Sequence, residues 1–493
     1  MIVLPILAAA LPLLGSLAGV ITSRARVAGA VAAAAGLGML SLAIADAVLV
    51  IPGHPVGTSG SFIYVDSLSA FFAVTVAVVV FLSSVASLSY IAVEQRRGAL
   101  SGTRVRIYFI IFGIFASAMM GSVETANLGL IWILVEAGAL ASVVLVPIEG
   151  RTEGLEAGWK YVIISSLGIT MGLVGTLFIF YAATAIPGTA EQHLTWSFLV
   201  AHAAQLSPVG LRLGFLLAVI GYGTKAGLAP MHTWLPDAHS EAPSPGSAML
   251  SGALLNVGMY AIIRIIAIVN RRFGSGYASH VMLAFGFLSI AVAAVFIIHQ
   301  RDFKKMFAFS SVEHMGLIAV GLGFGGVLCV YGALLHSLNH SICKSILFFT
   351  GGTLVLSFGG TRQTDRISGA LTSLPLTGGA LILCSLAILG SPPFGLFISE
   401  FTIVRAGLSS AYPALVALLL VLLVVVFIGF LWSTSQMAVG PGRPGVRSPY
   451  VGWLERLAAA SPLVLGLCSL LLLGLWVPTW INALLMHAVA AVR

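Results

Sequence analysis

Charged residues are scarce in this chain. Only 8% of its 493 residues are Asp, Glu, Lys or Arg, whereas 59% are hydrophobic. A soluble fold of this length is excluded, because there would be too little polar surface to cover its core. Helices that are apolar on every face are typical of membrane spans. The composition therefore predicts an all-α polytopic membrane protein.

Cysteine is rare as well, and the four cysteines lie apart in apolar runs without CxxC spacing. This spacing argues against iron–sulfur, zinc and disulfide roles. The sequence also lacks a glycine-rich dinucleotide loop and a haem-binding pattern. We therefore expect no cofactor, no metal and no redox site in this chain. The net charge of +8 does not indicate nucleic-acid binding, because the basic residues sit in short loops between apolar stretches.

About fourteen apolar stretches are long enough to cross the roughly 30 Å hydrocarbon core of a bilayer. The seventh and twelfth contain prolines and glycines at their centres, so we predict that both are broken helices. The stretches fall at about 2–22, 27–50, 66–93, 105–123, 126–147, 159–183, 209–241, 246–270, 277–299, 306–323, 326–358, 374–412, 413–438 and 459–486.

The distribution of basic residues predicts the orientation of these spans. With the N-terminus outside, 16 of the 24 Lys and Arg residues fall in inner loops and five in outer regions. Loops rich in Lys and Arg remain in the cytoplasm. We therefore predict that both termini face the outer side. The first span has no preceding basic region and no small-residue cleavage site, and we predict that it is retained.

Residues 221–245, GYGTKAGLAPMHTWLPDAHSEAPSP, interrupt the seventh span. A proline inside a helix removes one hydrogen bond and clashes with the preceding turn, so Pro230 predicts a break beside Ala226, one residue after Lys225. Broken backbone in a bilayer must be packed in protein or line a wet cavity, and a charge there is a functional candidate. A solvated loop is the alternative interpretation. The same stretch offers three further candidates: His232, Asp237 and His239.

Glu136 has apolar neighbours on every side in LGLIWILVEAGALASVVLV. A buried carboxylate needs a compensating cation, and Lys225 is the candidate partner. The pair could act in ion transfer or could be a structural salt bridge.

His336, His340 and Lys344 stand at positions i, i+4 and i+8, which places them on one helix face about 12 Å long. Two imidazoles leading to a lysine suit a proton relay, because histidine titrates nearest neutrality. Satisfied core histidines are the alternative. A metal site is disfavoured, because no third ligand of the right kind lies nearby in the sequence. Glu313 and His314 in SSVEHMG could extend the relay.

Glu400 follows the second break, GSPPFG, in the twelfth span. Two broken helices about five spans apart, each with an ionisable residue, indicate an inverted repeat of the kind that transporters use. We predict one transmembrane domain over 1–493. Its parts are helices 1–3 in 1–103, a first repeat of helices 4–8 in 104–272, an inverted second repeat of helices 9–13 in 273–440, and helix 14 in 441–493.

Three motifs carry a resemblance to a known family: GTKAGLAPMHTWLPDAHSEAPSP, DFKKMFAFSSVEHMG and PPFGLFISEF. The chain resembles the antiporter-like membrane subunits of respiratory complex I, of Mrp-type Na⁺/H⁺ antiporters and of membrane-bound hydrogenases. The resemblance covers essentially the whole chain in the same order. ETANLGLIWILVEAGALAS, EAGWKYVIISSLGI and AHSEAPSP are most similar to the F-type subunit of hydrogenase-4 complexes.

This resemblance implies fourteen helices, two inverted five-helix repeats and a polar axis across the middle of the membrane. It matches Glu136 to a buried glutamate of the fifth helix, Lys225 to the pumping lysine of the seventh, and Glu400 to the terminal acid or lysine of the twelfth. The eleventh helix would supply the relay. The full set of predicted proton-translocation residues is Glu136, Lys225, His232, Asp237, His239, Asn256, Lys304, Glu313, His314, His336, His340, Lys344 and Glu400.

One position departs from the family pattern. Complex I members usually have a lysine where this chain has Asn256, and asparagine cannot hold a proton. The proton path would therefore need water or a neighbouring histidine at that point. The departure favours the hydrogenase branch over a complex I subunit.

The expected function is that of a non-catalytic proton-pumping subunit of a membrane-bound [NiFe] hydrogenase in a bacterial or archaeal cytoplasmic membrane. The expected partners are other membrane subunits, homologous antiporter-like subunits among them, and a peripheral arm that holds the iron–sulfur clusters and the NiFe site. A complex I-like quinone reductase, an Mrp-type Na⁺/H⁺ antiporter and a structural anchor remain as alternatives. An anchor gains nothing from charges in lipid, which argues against it. The sequence does not decide between H⁺ and Na⁺.

Overall fold

The computed structural model describes residues 2–51, 53–57 and 62–492, and most of them are helical. The helices before the first break are α1 Val3–Ala10, α2 Pro12–Ile21, α3 Ala25–Val50, α4 Ser67–Arg96, α5 Gly102–Val123, α6 Leu128–Leu145, α7 Thr152–Ala183, α8 Trp196–Ala201 and α9 Pro208–Ala226. Between the two breaks lie α10 Trp234–Glu241, α11 Ser244–Met249, α12 Leu255–Phe273, α13 Gly276–His299, α14 Phe303–Phe324, α15 Gly326–Ser357, α16 Ala370–Ser373 and α17 Pro375–Ile388. The remaining helices are α18 Gly395–Leu408, α19 Pro413–Ala438, α20 Gly452–Leu475 and α21 Thr479–Val492.

The predicted number of spans is confirmed. Within the described residues, 12 helical segments are long and apolar enough to cross a membrane, with α1 and α2 together forming one of them. The thirteenth span is α15, which has 32 residues but is more polar because of the histidines and lysine that it carries. The fourteenth is the pair of short apolar halves α17 and α18.

Both predicted breaks are present. The helix α9 ends at Ala226, and Gly227 follows with a φ of 74°, a left-handed conformation that glycine adopts without strain. The chain resumes a helix at Trp234. In the twelfth span α17 ends at Ile388 and α18 begins at Gly395. Each break therefore exposes helix ends inside the bundle.

The spans form two groups of five, each containing one broken helix. The first group is α5, α6, α7, α9–α10 and α11–α12, and the second is α13, α14, α15, α17–α18 and α19. Because five crossings are an odd number, the second group starts from the opposite face of the membrane. The two repeats are therefore inverted.

The last span differs from the sequence-based prediction of one helix over 459–486. The helix α20 starts earlier, at Gly452, because Glu455 is neutralised by ion pairs with Arg26 and Arg96 and can enter the helix. It stops at Leu475 because Pro478 follows, and residues before a proline disfavour the helical conformation. The shorter helix α21 then packs against α4 and α15.

Helices α12, α14 and α15 form the centre of the molecule and are buried along nearly their whole length. In contrast, only 28% of the most apolar part of α19 is buried. A Cβ atom at Gly221 of α9 would overlap the backbone of Gly172 on α7, so these two helices touch backbone to backbone. A Cβ at Gly258 of α12 would likewise overlap the end of α9. These contacts bring the first break close to the central helices.

A π-helical turn, Leu250–Leu254, joins α11 to α12. Such turns displace one backbone hydrogen bond and often occur at functional sites. Here the carbonyl of Gly252 accepts hydrogen bonds from Ser341 at 2.6 Å and from Asn256 at 3.0 Å. The turn therefore ties α12 to α15.

Candidate functional site

The predicted pairing of Lys225 with Glu136 is confirmed. Lys225 is fully buried at the end of α9, and its Nζ lies 3.1 Å from Oε2 of Glu136 on α6. The same Nζ donates a short hydrogen bond to Ser165 of α7. The Glu136 side chain is 16% exposed, so the acidic partner reaches the surface of the bundle whereas the lysine does not.

Trp234 fixes the geometry of the break beside this pair. Its indole nitrogen donates to the carbonyl of Thr224 in the last turn of α9 at 2.9 Å. The ring stacks on Tyr161 at 4.2 Å, and the Tyr161 hydroxyl lies 2.7 Å from that of Ser142. The position of Lys225 is thus held by neighbours on three helices.

His239 is the next buried ionisable group on the far side of the break. Its ring stacks against Phe348 at 5.1 Å, and neither ring nitrogen has a hydrogen-bond partner among the described residues. It interacts electrostatically with Lys304 and Lys344. Lys304 is buried, and its Nζ donates to the carbonyl of Ala242 at 2.7 Å.

Asn256 occupies the middle of α12 and is fully buried. Its amide nitrogen donates to Ser341 at 2.7 Å, which links α12 to the polar face of α15. Its Oδ1 has no partner among the described residues. Asn256 therefore connects the two repeats by hydrogen bonds but adds no charge.

Lys344 lies on α15 in the second repeat, and its surroundings resemble those of Lys225. It is fully buried, donates to the carbonyl of Phe307 at 2.7 Å and makes a short hydrogen bond to Ser310. It interacts electrostatically with Glu313. Lys225 and Lys344 thus each have a serine and an acidic residue nearby.

The remaining relay residues form a chain of contacts. Glu313 lies 3.1 Å from Nε2 of His314, and Nδ1 of His314 lies 2.9 Å from Nε2 of His336. Nδ1 of His336 lies 2.9 Å from the hydroxyl of Ser399 on α18. Glu400 approaches the same two histidines and is partly exposed. Imidazoles in direct contact can exchange a proton.

Two predicted residues lie outside this buried chain. Asp237 is 24% exposed and forms ion pairs with Lys160 at 3.2 Å and Lys305 at 2.7 Å. His232 lies in the loop between α9 and α10, where its ring faces Phe309 at 6.2 Å. Neither contacts Lys225 in the described structure.

Several polar residues of the site were missed by the sequence analysis. The hydroxyls that contact the buried lysines and histidines come from apolar helices in which serine is common. The only feature that marks these serines as part of the site is that each faces a charged or titratable residue. That feature can be recognised only when the rotation of each helix is known. These residues are Ser165, Ser310, Ser341 and Ser399.

A charged cavity of about 190 Å³ was also missed. It lies at the end of the bundle where α4 ends and α15 ends, which is the predicted inner face. Its wall includes buried Lys304. The other charged lining residues are Glu94, Arg97, Glu149, Arg151, Glu241 and Arg362.

A second buried ion pair lies toward the opposite face. Arg264 of α12 is fully buried and binds Asp66, the residue before α4, through two hydrogen bonds of 2.6 Å. Burial raises the pKa of Asp66, but the charge and hydrogen bonds of Arg264 outweigh this effect and leave it below its usual value. Tyr260 and Ser69 complete the contacts of Arg264. This pair fixes α12 against α4 without exposing charge to lipid.

These contacts define a class of protein: a polytopic membrane protein with a line of buried lysine, histidine and glutamate side chains running from α6 to α18. Residues 125–427 match the family model described as NADH:quinone oxidoreductase/Mrp antiporter, transmembrane. The chain belongs to this family and is an antiporter-like membrane subunit.

Two curated relatives illustrate the range of the family. The chain is 37% identical over 390 residues to a "Hydrogenase-4 component F homolog" of Methylacidiphilum infernorum, covering 79% of this chain and 81% of the relative. It is 32% identical over 346 residues to "NADH-quinone oxidoreductase subunit N" of Desulforudis audaxviator, covering 69% and 67% of the two chains.

Solved structures show the same fold. A chain of the membrane-bound sulfane sulfur reductase, an archaeal respiratory membrane complex, matches with a TM-score of 0.84 at 24% identity. The match covers 100% of this chain and 96% of that one. The fold therefore occurs in a membrane subunit of a multi-subunit complex.

Proposed function

We propose that this chain is the proton-translocating subunit of a membrane-bound [NiFe] hydrogenase complex of the hydrogenase-4 type. The observation that carries the proposal is the buried Lys225–Glu136 pair at a broken helix, where a charge at membrane depth is expensive unless it is used. The similarity to a hydrogenase-4 component F homologue over most of both chains supports the choice of complex.

The first step is loading of Lys225. The carboxylate of Glu136 at 3.1 Å and the Ser165 hydroxyl favour the protonated lysine. At an effective dielectric constant near 20, two unit charges at this distance attract each other by about 5 kcal/mol. The partly exposed Glu136 can be influenced by a neighbouring subunit. When electron transfer there displaces the Glu136 charge, Lys225 loses this stabilisation and releases its proton into the bundle.

The second step is transfer to Lys344 in the other repeat. Asn256 and Ser341 join α12 and α15 by a hydrogen bond of 2.7 Å, and His239 interacts electrostatically with Lys344. Asn256 holds no proton itself, so we assign the intermediate proton-carrying role to His239.

The third step is release. Glu313, His314 and His336 form a chain of contacts of 2.9–3.1 Å that starts near Lys344 and ends beside Glu400. Glu400 is partly exposed and therefore governs exit from the bundle. Uptake from the inner face would use the charged cavity that ends at Lys304.

The partners in this proposal are homologous antiporter-like membrane subunits and a peripheral arm that carries the iron–sulfur clusters and the NiFe site. The complex would lie in a bacterial or archaeal cytoplasmic membrane, with both termini of this chain on the outer side. H⁺ is the proposed ion, and Na⁺ is the alternative that the antiporter branch of the family raises.

The test is purification of the chain from native membranes in mild detergent, with its partners identified by mass spectrometry. Recovery of a NiFe hydrogenase large subunit with iron–sulfur proteins is the expected result. Recovery of quinone-reductase subunits would instead assign the chain to a complex I-like enzyme, as the similarity to subunit N permits. Recovery of small membrane subunits without any redox protein would indicate an antiporter. In the first case, Lys225→Ala should abolish proton translocation by the reconstituted complex while the partners still co-purify.

A further inference from the structure

Three side chains from three helices place potential metal-ligand atoms within 4.8 Å of one another. They are His314 of α14, His336 of α15 and Glu400 of α18. Both histidines are buried, and Glu400 is partly exposed. In the sequence, no third ligand lies close to the histidines of α15. In the fold, α14 and α18 bring further ligand side chains to the same place.

The hydrogen bonds of the two imidazoles show which nitrogens are available. Nδ1 of His314 and Nε2 of His336 face each other at 2.9 Å. Their outer nitrogens are held by Glu313 at 3.1 Å and by Ser399 at 2.9 Å. Histidines that bind metals usually give their second nitrogen to a carboxylate or another polar partner, which fixes the ring and its tautomer. The outer contacts here follow that pattern.

A further buried imidazole lies beside the group. The ring of His340 is fully buried, and its centre is 5.3 Å from the centre of the His314 ring. Neither of its nitrogens has a hydrogen-bond partner among the described residues. A buried polar ring without a partner costs free energy. Binding an ion would remove that cost.

We propose that His314, His336 and Glu400, with His340 as a fourth ligand, form a binding site for Zn²⁺ or a similar divalent transition-metal ion. Zinc prefers four ligands drawn from histidine nitrogens, carboxylates and thiolates, at about 2.0–2.2 Å from nitrogen and oxygen. A tetrahedron with such bonds has ligand atoms roughly 3.4 Å apart. The two facing nitrogens are 2.9 Å apart, and the ligand atoms of His314, His336 and Glu400 all lie within 4.8 Å of one another, so small side-chain movements bring them to this spacing. Calcium and magnesium are excluded, because they require oxygen ligands.

The break in the twelfth span borders the site. The Glu400 carboxylate lies directly against Gly390, where a Cβ atom would overlap it. The following residues Pro392 and Pro393 are exposed on the surface of the chain. Glu400 therefore lies at the edge of the bundle, whereas the two histidines are buried.

A bound ion would occupy the two nitrogens that face each other in the relay. This consequence rests on the proposed function: the ion would stop proton exchange between His314 and His336 and hold the release end in one state. The site is therefore a point at which a transition metal inhibits the protein.

The experiment measures metal binding directly on the full-length chain, purified in detergent and stripped of metal with a chelator. Cobalt(II) is the probe, because tetrahedral Co²⁺ absorbs strongly in the visible region, and Zn²⁺ is added to displace it. We expect one Co²⁺ per chain with a tetrahedral spectrum and full displacement by Zn²⁺. Glu400→Gln and His340→Ala should each weaken binding at least tenfold.

His239→Ala is the matched control, because His239 is an equally buried histidine without hydrogen-bond partners that lies outside the cluster. Its Co²⁺ affinity should equal that of the wild type. Thermal unfolding of each variant establishes that it is folded before its affinity is compared. Unchanged binding in both Glu400→Gln and His340→Ala, or equal weakening in His239→Ala, would overturn the proposal.

The binding measurement involves no ion flux, so it stands even if the chain moves Na⁺ or belongs to another complex. Inhibition is measured separately as loss of proton translocation when Zn²⁺ is added to the reconstituted wild-type complex. Stoichiometric Co²⁺ binding without such inhibition would support the metal site and refute its inhibitory role.

Discussion

Neutralising Glu136 tests the coupling that the proposed mechanism requires. Glu136→Gln keeps the shape of the side chain but removes its charge, 3.1 Å from the buried ammonium of Lys225. With an effective dielectric constant near 20, the lost attraction is about 5 kcal/mol. Since about 1.4 kcal/mol corresponds to a factor of ten, the protonated lysine becomes more than a thousandfold less favoured. We expect proton translocation to fall at least tenfold.

Glu136→Asp provides a graded intermediate. Shortening the side chain by one methylene group moves the charge to about 4.5 Å, where the attraction is still about 4 kcal/mol. The rate of proton translocation should therefore be highest in the wild type, lower in Glu136→Asp and lowest in Glu136→Gln. The assay is a reconstituted complex in liposomes that contain a pH-sensitive dye. Electron transfer is measured in parallel, so that protons moved per turnover can be compared.

The matched control is Glu156→Gln. Glu156 is 66% exposed on α7 and pairs with Lys160 at 2.6 Å. The substitution therefore removes the same charge from the same repeat, but outside the buried chain of ionisable residues. We expect wild-type translocation from this variant. If Glu136→Gln retained more than half of the wild-type rate in a fully assembled complex, the electrostatic switching of Lys225 would be wrong.

Two further predictions concern the packing that holds the site. Gly221→Ala should force α9 away from Gly172 and lower the free energy of unfolding by roughly 1–3 kcal/mol, which is measured as a lower midpoint of thermal unfolding. The control is Gly379→Ala, which should leave the midpoint unchanged because the space around Gly379 is open. Asp66→Asn should cost roughly 3–5 kcal/mol at neutral pH, because it leaves Arg264 buried without its anion. Since the pKa of Asp66 is lowered in the folded state, the difference in stability between wild type and variant should shrink as the pH falls below about 4. A difference that persists unchanged down to pH 2 would contradict this assignment.

The two breaks and the first ion pair could be predicted because their causes are local. Pro230 cannot donate a backbone hydrogen bond and Gly227 adopts a left-handed conformation, and the structure ends α9 at Ala226 as expected. A carboxylate in an apolar helix needs a cation, and Lys225 beside the first break was the candidate partner. Both inferences depend on the chemistry of single residues and not on the angles between helices.

The contacts of the site could not be predicted, because they depend on helix rotation. Ser165 and Ser310 contact the buried lysines, but a serine in a membrane helix can equally satisfy its hydroxyl on its own backbone. The group of His314, His336 and Glu400 comes from three helices that are far apart in the sequence. Sequence spacing had therefore disfavoured a metal at a place where the fold gathers three ligand side chains.

The last helix shows how ion pairs change a boundary. Charged residues near 455 indicated that the span begins after them, yet Glu455 lies inside α20 because Arg26 and Arg96 neutralise it. Those partners come from the other end of the chain. Only the folded arrangement brings them together.

The polarity of α15 has a consequence for biogenesis. This helix carries His336, His340 and Lys344, yet it is buried along nearly its whole length. A helix with this composition gains little from entering lipid alone. We expect the translocation machinery to release it into the bilayer together with α14 and the α17–α18 pair, which cover its polar face. The side chains for which we propose a role in ion movement would then make the second repeat insert as a unit rather than helix by helix.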